Sequence, residues 1–332
     1  MQSGTDMKSN SLSSYLSQHF EAHDTASDIA DGLANTVLAL SKAAIEIAKL
    51  SAANGIGASS LGGLAGGVNE DGDSQKQLDV LSDDIIAKAI SSTGIGIYYS
   101  EEQSEPMTID NTGLLGLACD PLDGSSNIDT NLTIGTIFSL FDLSDCQNGL
   151  PPIGRKQLAS GLFVYGPQTS LLLSFGKEVA AFGLSEDGQF VRLDWQIDIP
   201  KASTEFAINA SNAAFWPKPI QDYIYEISYG AGAKDSGMRW LGSLVADSYR
   251  IFRRGGVFLY PQDSRKGYEA GRLRLVYEAN PIAFLIEAAG GMATTGTGPI
   301  LDQEISSLHQ RIPLIFGSSD EVKKILNYHQ SL

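Results

Sequence analysis

The chain has 332 residues, 42% of them hydrophobic, and carries 23 Lys and Arg against 39 Asp and Glu, a formal net charge of −16. This apolar content suits one large domain or two intimate halves, while the charge, with no dense basic stripe to offset it, argues against nucleic acid as a partner. No apolar stretch reaches the ~18–20 residues of a membrane span, and the opening MQSGTDMKSNS lacks the basic-then-apolar order of a secretory signal, so a cytoplasmic protein without membrane association is expected.

Residues 1 to about 12 are polar and Ser-rich and are expected to be disordered. From Asp28 to about Leu50, apolar residues recur at spacings of three and four, which predicts an amphipathic helix. The glycine-rich segment 54–73 reads as a mobile loop, and no GK[ST] follows it to make a phosphate-binding loop of the nucleotide type. A helix is expected over Gln77–Ser92, then a strand at Ile95–Tyr99 that opens onto Glu101 and Glu102. Leu114–Cys119 is an apolar run of buried-strand type, expected to stop at Asp120-Pro121 because proline cannot continue a central ladder. Strands follow at 133–141, 158–165, 169–175, 178–184 and 189–193, enough for a large, partly antiparallel sheet.

The second half begins near Ile199-Pro200. It predicts helices around 217–228 and 242–253 and strands at 256–260 and 272–277, the latter ending at Glu278. Asn280-Pro281 opens an apolar helix with proline at a favoured first-turn position. A strand at 312–316 precedes a final helix, opened by a capping-box pattern of Ser318 and Glu321. The mixture argues for a layered α/β fold in two halves, 1–198 and 199–332. Cys119 and Cys146 fit neither a metal pattern nor a disulfide framework and read as reduced thiols. His19 and His23 have helix-face spacing but no third ligand nearby.

The acids at the expected strand ends carry the chemistry. Glu101 and Glu102, Asp120 with Asp123, and Glu278 come from three distant segments, and strand C-terminal ends are where α/β sheets place their sites. Convergent carboxylates repel unless hard divalent cations separate them, so magnesium, with manganese as a substitute, is the expected cofactor. An anionic substrate would need such cations and a few arginines against the overall negative charge. The segment Asp120-Pro121-Leu122-Asp123-Gly124-Ser125-Ser126 sets two acids on a tight turn followed by backbone amides, which suit phosphate oxygens.

The string DPLDGSSNIDTNLTIGTIF at 120–138 closely resembles the signature of the fructose-1,6-bisphosphatases, bacterial-type members of the superfamily of sugar phosphatases and inositol monophosphatases. QKQLDVLSDDII at 75–86, YSEE at 99–102, NASN at 209–212, MRWLGSLVAD at 238–247, GRLRLVYEANPIAF at 271–284 and GGMATTG at 290–296 extend the resemblance over roughly residues 25–330. It implies an α-β-α-β-α sandwich and a metal-dependent phosphatase that removes the 1-phosphate of fructose 1,6-bisphosphate. It also implies metal ligation by Glu101, Glu102, Asp120, the Leu122 carbonyl, Asp123 and Glu278. Catalytic roles fall to Asp73 in the glycine-rich loop, and to Asp79 with Glu102, which would deprotonate the attacking water. The 1-phosphate would lie on Asp123, Gly124, Ser125 and Ser126. The sugar and its distal phosphate would meet Asn209, Asn212, Arg239, Trp240, Leu244, Tyr260 and Arg272. Arg239 in relatives reaches a neighbouring subunit, which implies a homotetramer built as a dimer of dimers.

The sequence departs from vertebrate relatives at Asn212 and Trp240, where tyrosines are common, and at Arg272, where lysine is. Sedoheptulose 1,7-bisphosphate is therefore an alternative or additional substrate, while a catalytically silent metabolite sensor would not need so many mutually repelling acids. Leu114-Leu115 and Asp142 stand where vertebrate members bind the inhibitor AMP, so inhibition through that pocket is not expected.

Overall fold

The computed structural model describes residues 10–22, 26–53, 64–68, 74–230 and 235–330. Helix α1 (Leu12–Glu21), not among the expected elements, begins where the Ser-rich stretch expected to be disordered ends, and residues 1–9 of that stretch lie outside the described residues. The Ser11 hydroxyl accepts the N–H of Ser14, and Leu12, Tyr15 and Leu16 form a buried stripe, so a cap and a helical period were present in a serine-rich stretch. Helices α2 (Ser27–Ala52) and α3 (Gln77–Ala89) match the expected ones, with Leu33, Val37, Leu40, Ala44 and Ile47 buried along α2. Within the glycine-rich segment, β1 (Leu64–Val68) pairs antiparallel with β2 (Ser74–Lys76). The remainder of that segment, including Asp73, lies outside the described residues.

The next strands are β3 (Ile95–Ser100), β4 (Met107–Thr108), β5 (Leu115–Asp123), β6 (Ile134–Asp142), β7 (Gln157–Tyr165), β8 (Thr169–Ser174), β9 (Val179–Leu184) and β10 (Phe190–Arg192). They form one sheet in the order β10-β9-β8-β7-β6-β5-β3-β4, with β3 and β5 parallel and the other neighbours antiparallel. The remaining elements are β11 (Glu205–Ile208), α4 (Lys218–Tyr229), β12 (Gly237–Met238), α5 (Leu244–Arg254), β13 (Val257–Tyr260), β14 (Leu273–Arg274), α6 (Asn280–Ala288), β15 (Met292–Thr294), β16 (Arg311–Ile312), β17 (Leu314–Gly317) and α7 (Ser319–Gln330). Five of these strands make a second sheet, β12-β11-β13-β17-β15.

Alternation along the strands assigns each sheet face to a core. Leu117, Phe138, Phe163 and Leu171 pack with Leu33, Val37 and Leu40 under α1–α3. The opposite face, through Ile137, Leu162, Val164 and Leu172, meets Val245 and Ile251 of α5, Ile282 and Leu285 of α6, and Ala207, Phe258 and Phe316 of the second sheet. Phe206, Ile208 and Leu259 cover the far side of that sheet together with Ile220 of α4 and Val322 and Ile325 of α7. The layers are thus helix, sheet, helix, sheet, helix. Each fully buried aliphatic contributes about 1.5–3 kcal/mol relative to exposure.

Three local expectations are corrected. Strand β5 does not stop at Pro121 but runs on to Asp123. Asp120 faces Ile137 and Asp123 faces Gly135, so three steps on β5 oppose two on β6 and a bulge absorbs the difference. Pro121 lies within the bulge, its carbonyl accepting the Thr136 hydroxyl at 2.8 Å, while the Leu122 N–H donates to Asp120 Oδ1 at 3.0 Å. The expected strand 272–277 is only β14, because Leu275–Ala279 closes into a π-helical turn leading into α6, and Glu278 lies on that turn. The capping box at α7 does not form as expected, since the Ser318 hydroxyl accepts the Gly256 N–H at 3.1 Å and the Glu321 carboxylate pairs with Lys324 at 2.8 Å.

Candidate metal centre and phosphate site

Residues three apart on a regular strand face opposite sides, so the bulge in β5 is what lets Asp120 and Asp123 face one way. The π-helical turn brings Glu278 to the same place. One oxygen from each of these three buried carboxylates lies within 4.8 Å of the other two. Burial pushes Asp120 well above the usual carboxylate range, and the charges of Glu101, Asp123 and Glu278 raise it further. Asp123 is pushed up to about 7, again by burial first, although the Val245 N–H, donating to its Oδ2 at 3.0 Å, opposes the shift. Glu278 is likewise raised by burial and by Glu101 and Asp123, with Arg274 pulling the other way.

Glu101 and Glu102 form the turn after β3. The Glu101 N–H donates to the Cys119 carbonyl at 3.0 Å and the Glu102 N–H to the Ser100 hydroxyl at 3.2 Å, which fixes the pair beside the end of β5. The Glu101 carboxylate lies against Asp120 and is paired with Arg274 Nη1 at 3.1 Å. Arg274 also donates its backbone N–H to Glu278, so one residue restrains two acids. In the sequence Arg274 groups with Arg272 and Tyr260, as residues a sugar bisphosphate needs and an inositol phosphate does not, and its contacts with these acids are not foreseen there.

Asp79 is buried in the first turn of α3. One helical turn on, the buried carboxylate of Asp83 accepts three hydrogen bonds of 2.7 Å, from the Tyr98 and Ser100 hydroxyls and from Gln103 Nε2. These clamp α3 to the strand and turn that present Glu101 and Glu102. Asp83 was also missed; its role is visible only when residues 83, 98, 100 and 103 meet.

The turn after Asp123 begins with Gly124 at φ 81°, a left-handed conformation that suits glycine, and continues as a 3-10 turn over Ser125–Thr130. Ser125 is half-buried and Ser126 exposed. Asn127 Nδ2 donates to the Gly242 carbonyl at 2.9 Å, joining this turn to the segment before α5. Leu244 is buried at the start of that helix.

At the distal end, Asn209, Asn212 and Tyr260 line one small cavity with Ile208, Trp216, Leu259, Pro261 and Asp263. Trp240 lies beside it, its ring stacked on Phe258 with centroids 5.7 Å apart and tilted 6.0 Å from Tyr260. Arg272 is placed over the Tyr268 ring, 4.7 Å from its centroid. Arg239 turns outward, with 58% of its side chain exposed and its Nε 3.9 Å from Glu205, so within one subunit it does not line this cavity. Cys119 is buried and Cys146 half-buried, and both are free thiols.

The donor set fits a hard divalent cation: all-oxygen, anionic when ionised, and raised in pKa first by burial and then by the acids' mutual repulsion. No helix among the described residues is long and apolar enough to cross a membrane.

Comparison with known proteins agrees with this geometry. A family profile described as "Fructose-1-6-bisphosphatase, N-terminal domain" matches residues 16–194, and "Fructose-1-6-bisphosphatase, C-terminal domain" matches 199–330. A fructose-1,6-bisphosphatase class 1 of Rhizobium meliloti is 46% identical over 333 residues, covering 97% of this chain and 94% of the relative. One from Cereibacter sphaeroides is 48% identical over 295 residues, 87% of this chain and 88% of the relative. The crystal structure of Leishmania major fructose-1,6-bisphosphatase in holo form superposes with a TM-score of 0.87 at 29% identity, covering 96% of this chain and 98% of that one.

Proposed function

The chain belongs to the fructose-1,6-bisphosphatase family, and on that premise we propose how its residues hydrolyse fructose 1,6-bisphosphate to fructose 6-phosphate and phosphate. The observation that carries the reading is the convergence of Asp120, Asp123 and Glu278 beside the Gly124–Ser126 turn. Glu101, Glu102, Asp120, the Leu122 carbonyl, Asp123 and Glu278 are the ligands we assign to magnesium, with manganese as a substitute. When bound there, the cation supplies neutralisation of the phosphoryl charge and a lowered pKa for the attacking water.

The protein's own groups do the rest. The amides of Gly124, Ser125 and Ser126, with the serine hydroxyls, hold the 1-phosphate oxygens. Asp79 and Glu102 take the proton from the water as its oxygen bonds to phosphorus, and Asp73 is assigned a supporting role from the glycine-rich segment. The bond from phosphorus to the C1 oxygen breaks and that oxygen takes up a proton. Asn209, Asn212, Tyr260 and Arg272 hold the distal phosphate, with Leu244 and Trp240 beside the sugar. Arg239, exposed in a single subunit, is assigned to a neighbour's site, which supports a homotetramer of two dimers. We take residues 1–198 and 199–332 as the two structural halves and the cytoplasm as the compartment.

Phosphate release from fructose 1,6-bisphosphate, sedoheptulose 1,7-bisphosphate, fructose 1-phosphate and inositol 1-phosphate, with magnesium, manganese or a chelator, tests this. Fructose 1,6-bisphosphate is expected to be turned over fastest and only with added metal. Undiminished hydrolysis in excess chelator, or a preference for inositol 1-phosphate, would remove the assignment.

A further inference from the structure

Asp263 is an unexpected residue for a pocket that takes a phosphate. It is 8% exposed and lines the same cavity as Asn209, Asn212 and Tyr260. An unpaired carboxylate there would repel the phosphate dianion and compete with it for nearby cations. The structure shows that carboxylate fully engaged. Arg265 Nε lies 3.0 Å from Oδ1 and 3.1 Å from Oδ2, its Nη2 also reaches Oδ2, and its backbone N–H donates to Oδ1 at 3.0 Å.

The loop around the pair is closed by its own backbone. The Asp263 N–H donates to the Tyr268 carbonyl at 3.1 Å, and the Tyr268 N–H to the Arg265 carbonyl at 3.0 Å. The Arg265 guanidinium lies 4.5 Å from the Tyr268 ring centroid and 5.0 Å from that of Phe215. Arg272 lies 4.7 Å from the same Tyr268 centroid, so one aromatic ring orients both guanidinium groups. The Asp263 carboxyl is held below its ordinary value chiefly by Arg265, with a smaller pull from Arg272, which places Arg272 within electrostatic reach of the same acid.

We propose that Arg265 is a positioning residue for the distal phosphate: by occupying the Asp263 carboxylate it leaves the Arg272 guanidinium available to the substrate. The proposal rests on assigning this cavity to the distal phosphate. Without Arg265, Asp263 turns its charge on the phosphate and on Arg272 together. Binding weakens, while chemistry at the other end of the sugar is left to its own residues.

Steady-state phosphate release with fructose 1,6-bisphosphate and with fructose 1-phosphate, which lacks the distal group, tests it. In Arg265→Ala, KM for the bisphosphate is expected to rise about tenfold or more with kcat changed by less than about threefold, and the preference for bisphosphate over monophosphate to fall by about tenfold. Asp263→Asn added to that variant removes the stranded charge and is expected to recover most of the lost preference. A loop that had merely come apart would not be repaired by deleting a second ionic group. An unchanged preference in Arg265→Ala, or a double variant no better than the single one, overturns the proposal. A wild-type enzyme with no preference for the bisphosphate overturns instead the assignment of the pocket.

Discussion

Burial and crowding raise the carboxyl groups of Asp120, Asp123 and Glu278 together, and the sign of that shift is measurable. Asp123 moves from an ordinary 3.8 to about 7, so the folded protein retains a proton that the unfolded chain has already lost. The associated stability is complete below about pH 4 and is lost as pH rises toward 7. By calorimetry, the metal-free protein is therefore expected to lose thermal stability between pH 5 and 8 more steeply than an Asp123→Asn variant, and magnesium to raise its Tm more at pH 8 than at pH 5. A wild-type loss no steeper than the variant's would contradict the reading. Asp120→Ala and Glu278→Gln should each lower kcat by about a thousandfold or more with the circular-dichroism spectrum retained, if they are the cation ligands proposed; activity within tenfold of wild type for both would refute that assignment. Asp83→Asn should raise the magnesium concentration needed for half activity several-fold with KM for the sugar little changed, because the clamp between α3 and the Glu101–Glu102 turn loosens. The acids were legible from sequence because their repulsion demands a shared counter-ion. The contacts of Arg274 with the acids and of Asp83 with the Glu101–Glu102 turn were not, because each arises only from partners that the fold brings near.

Elements were legible where one periodicity dominated and illegible where two rules competed. The apolar stripe of α2 fixed that helix, whereas α1 lay behind a serine-rich composition. Proline correctly marks the point where the β5 ladder fails, yet a bulge carries the strand past it, and only the pairing of Asp120 with Ile137 and Asp123 with Gly135 reveals this. The π-helical turn at 275–279 left a strand-like apolar pattern in the sequence because all five residues are buried on every side. The central sheet also depends on close approaches that only glycine permits. A Cβ on Gly161 would lie 2.2 Å from the Phe138 ring on the neighbouring strand. Gly161→Val is expected to cost about 1–3 kcal/mol, read as a lower denaturant midpoint, while the magnesium dependence of the remaining folded enzyme is unchanged. A midpoint equal to wild type would show that the ring can shift freely.

For the whole molecule, the layered architecture followed from the strand and helix mixture together with a resemblance spread over most of the chain, but the joining of its two ends did not. The first turn of α5 supplies the Val245 N–H to Asp123, and the preceding Gly242 carbonyl accepts from Asn127. Arg239 and Trp240 lie just upstream of the same turn. Assembly through Arg239 is expected to appear in sedimentation velocity as a species larger than a monomer, and Arg239→Ala to lower activity by about tenfold or more through KM; a monomer with full activity would exclude the shared site. Micromolar AMP is expected to leave the rate unaltered, since Leu114, Leu115 and Asp142 stand where the resemblance to vertebrate members would put its binding residues. With the reacting phosphate assigned to the Gly124–Ser126 turn, as proposed, the start of α5 behaves as a ruler whose zero mark is that turn. Because that ruler is anchored to the turn we assign to the reacting group, a substrate one carbon longer is not expected to be accommodated by drawing the ends apart. The extra length must be taken up at the far wall, by Trp240, Tyr260 and Arg272, and selectivity for sugar size is adjustable there without disturbing the acids.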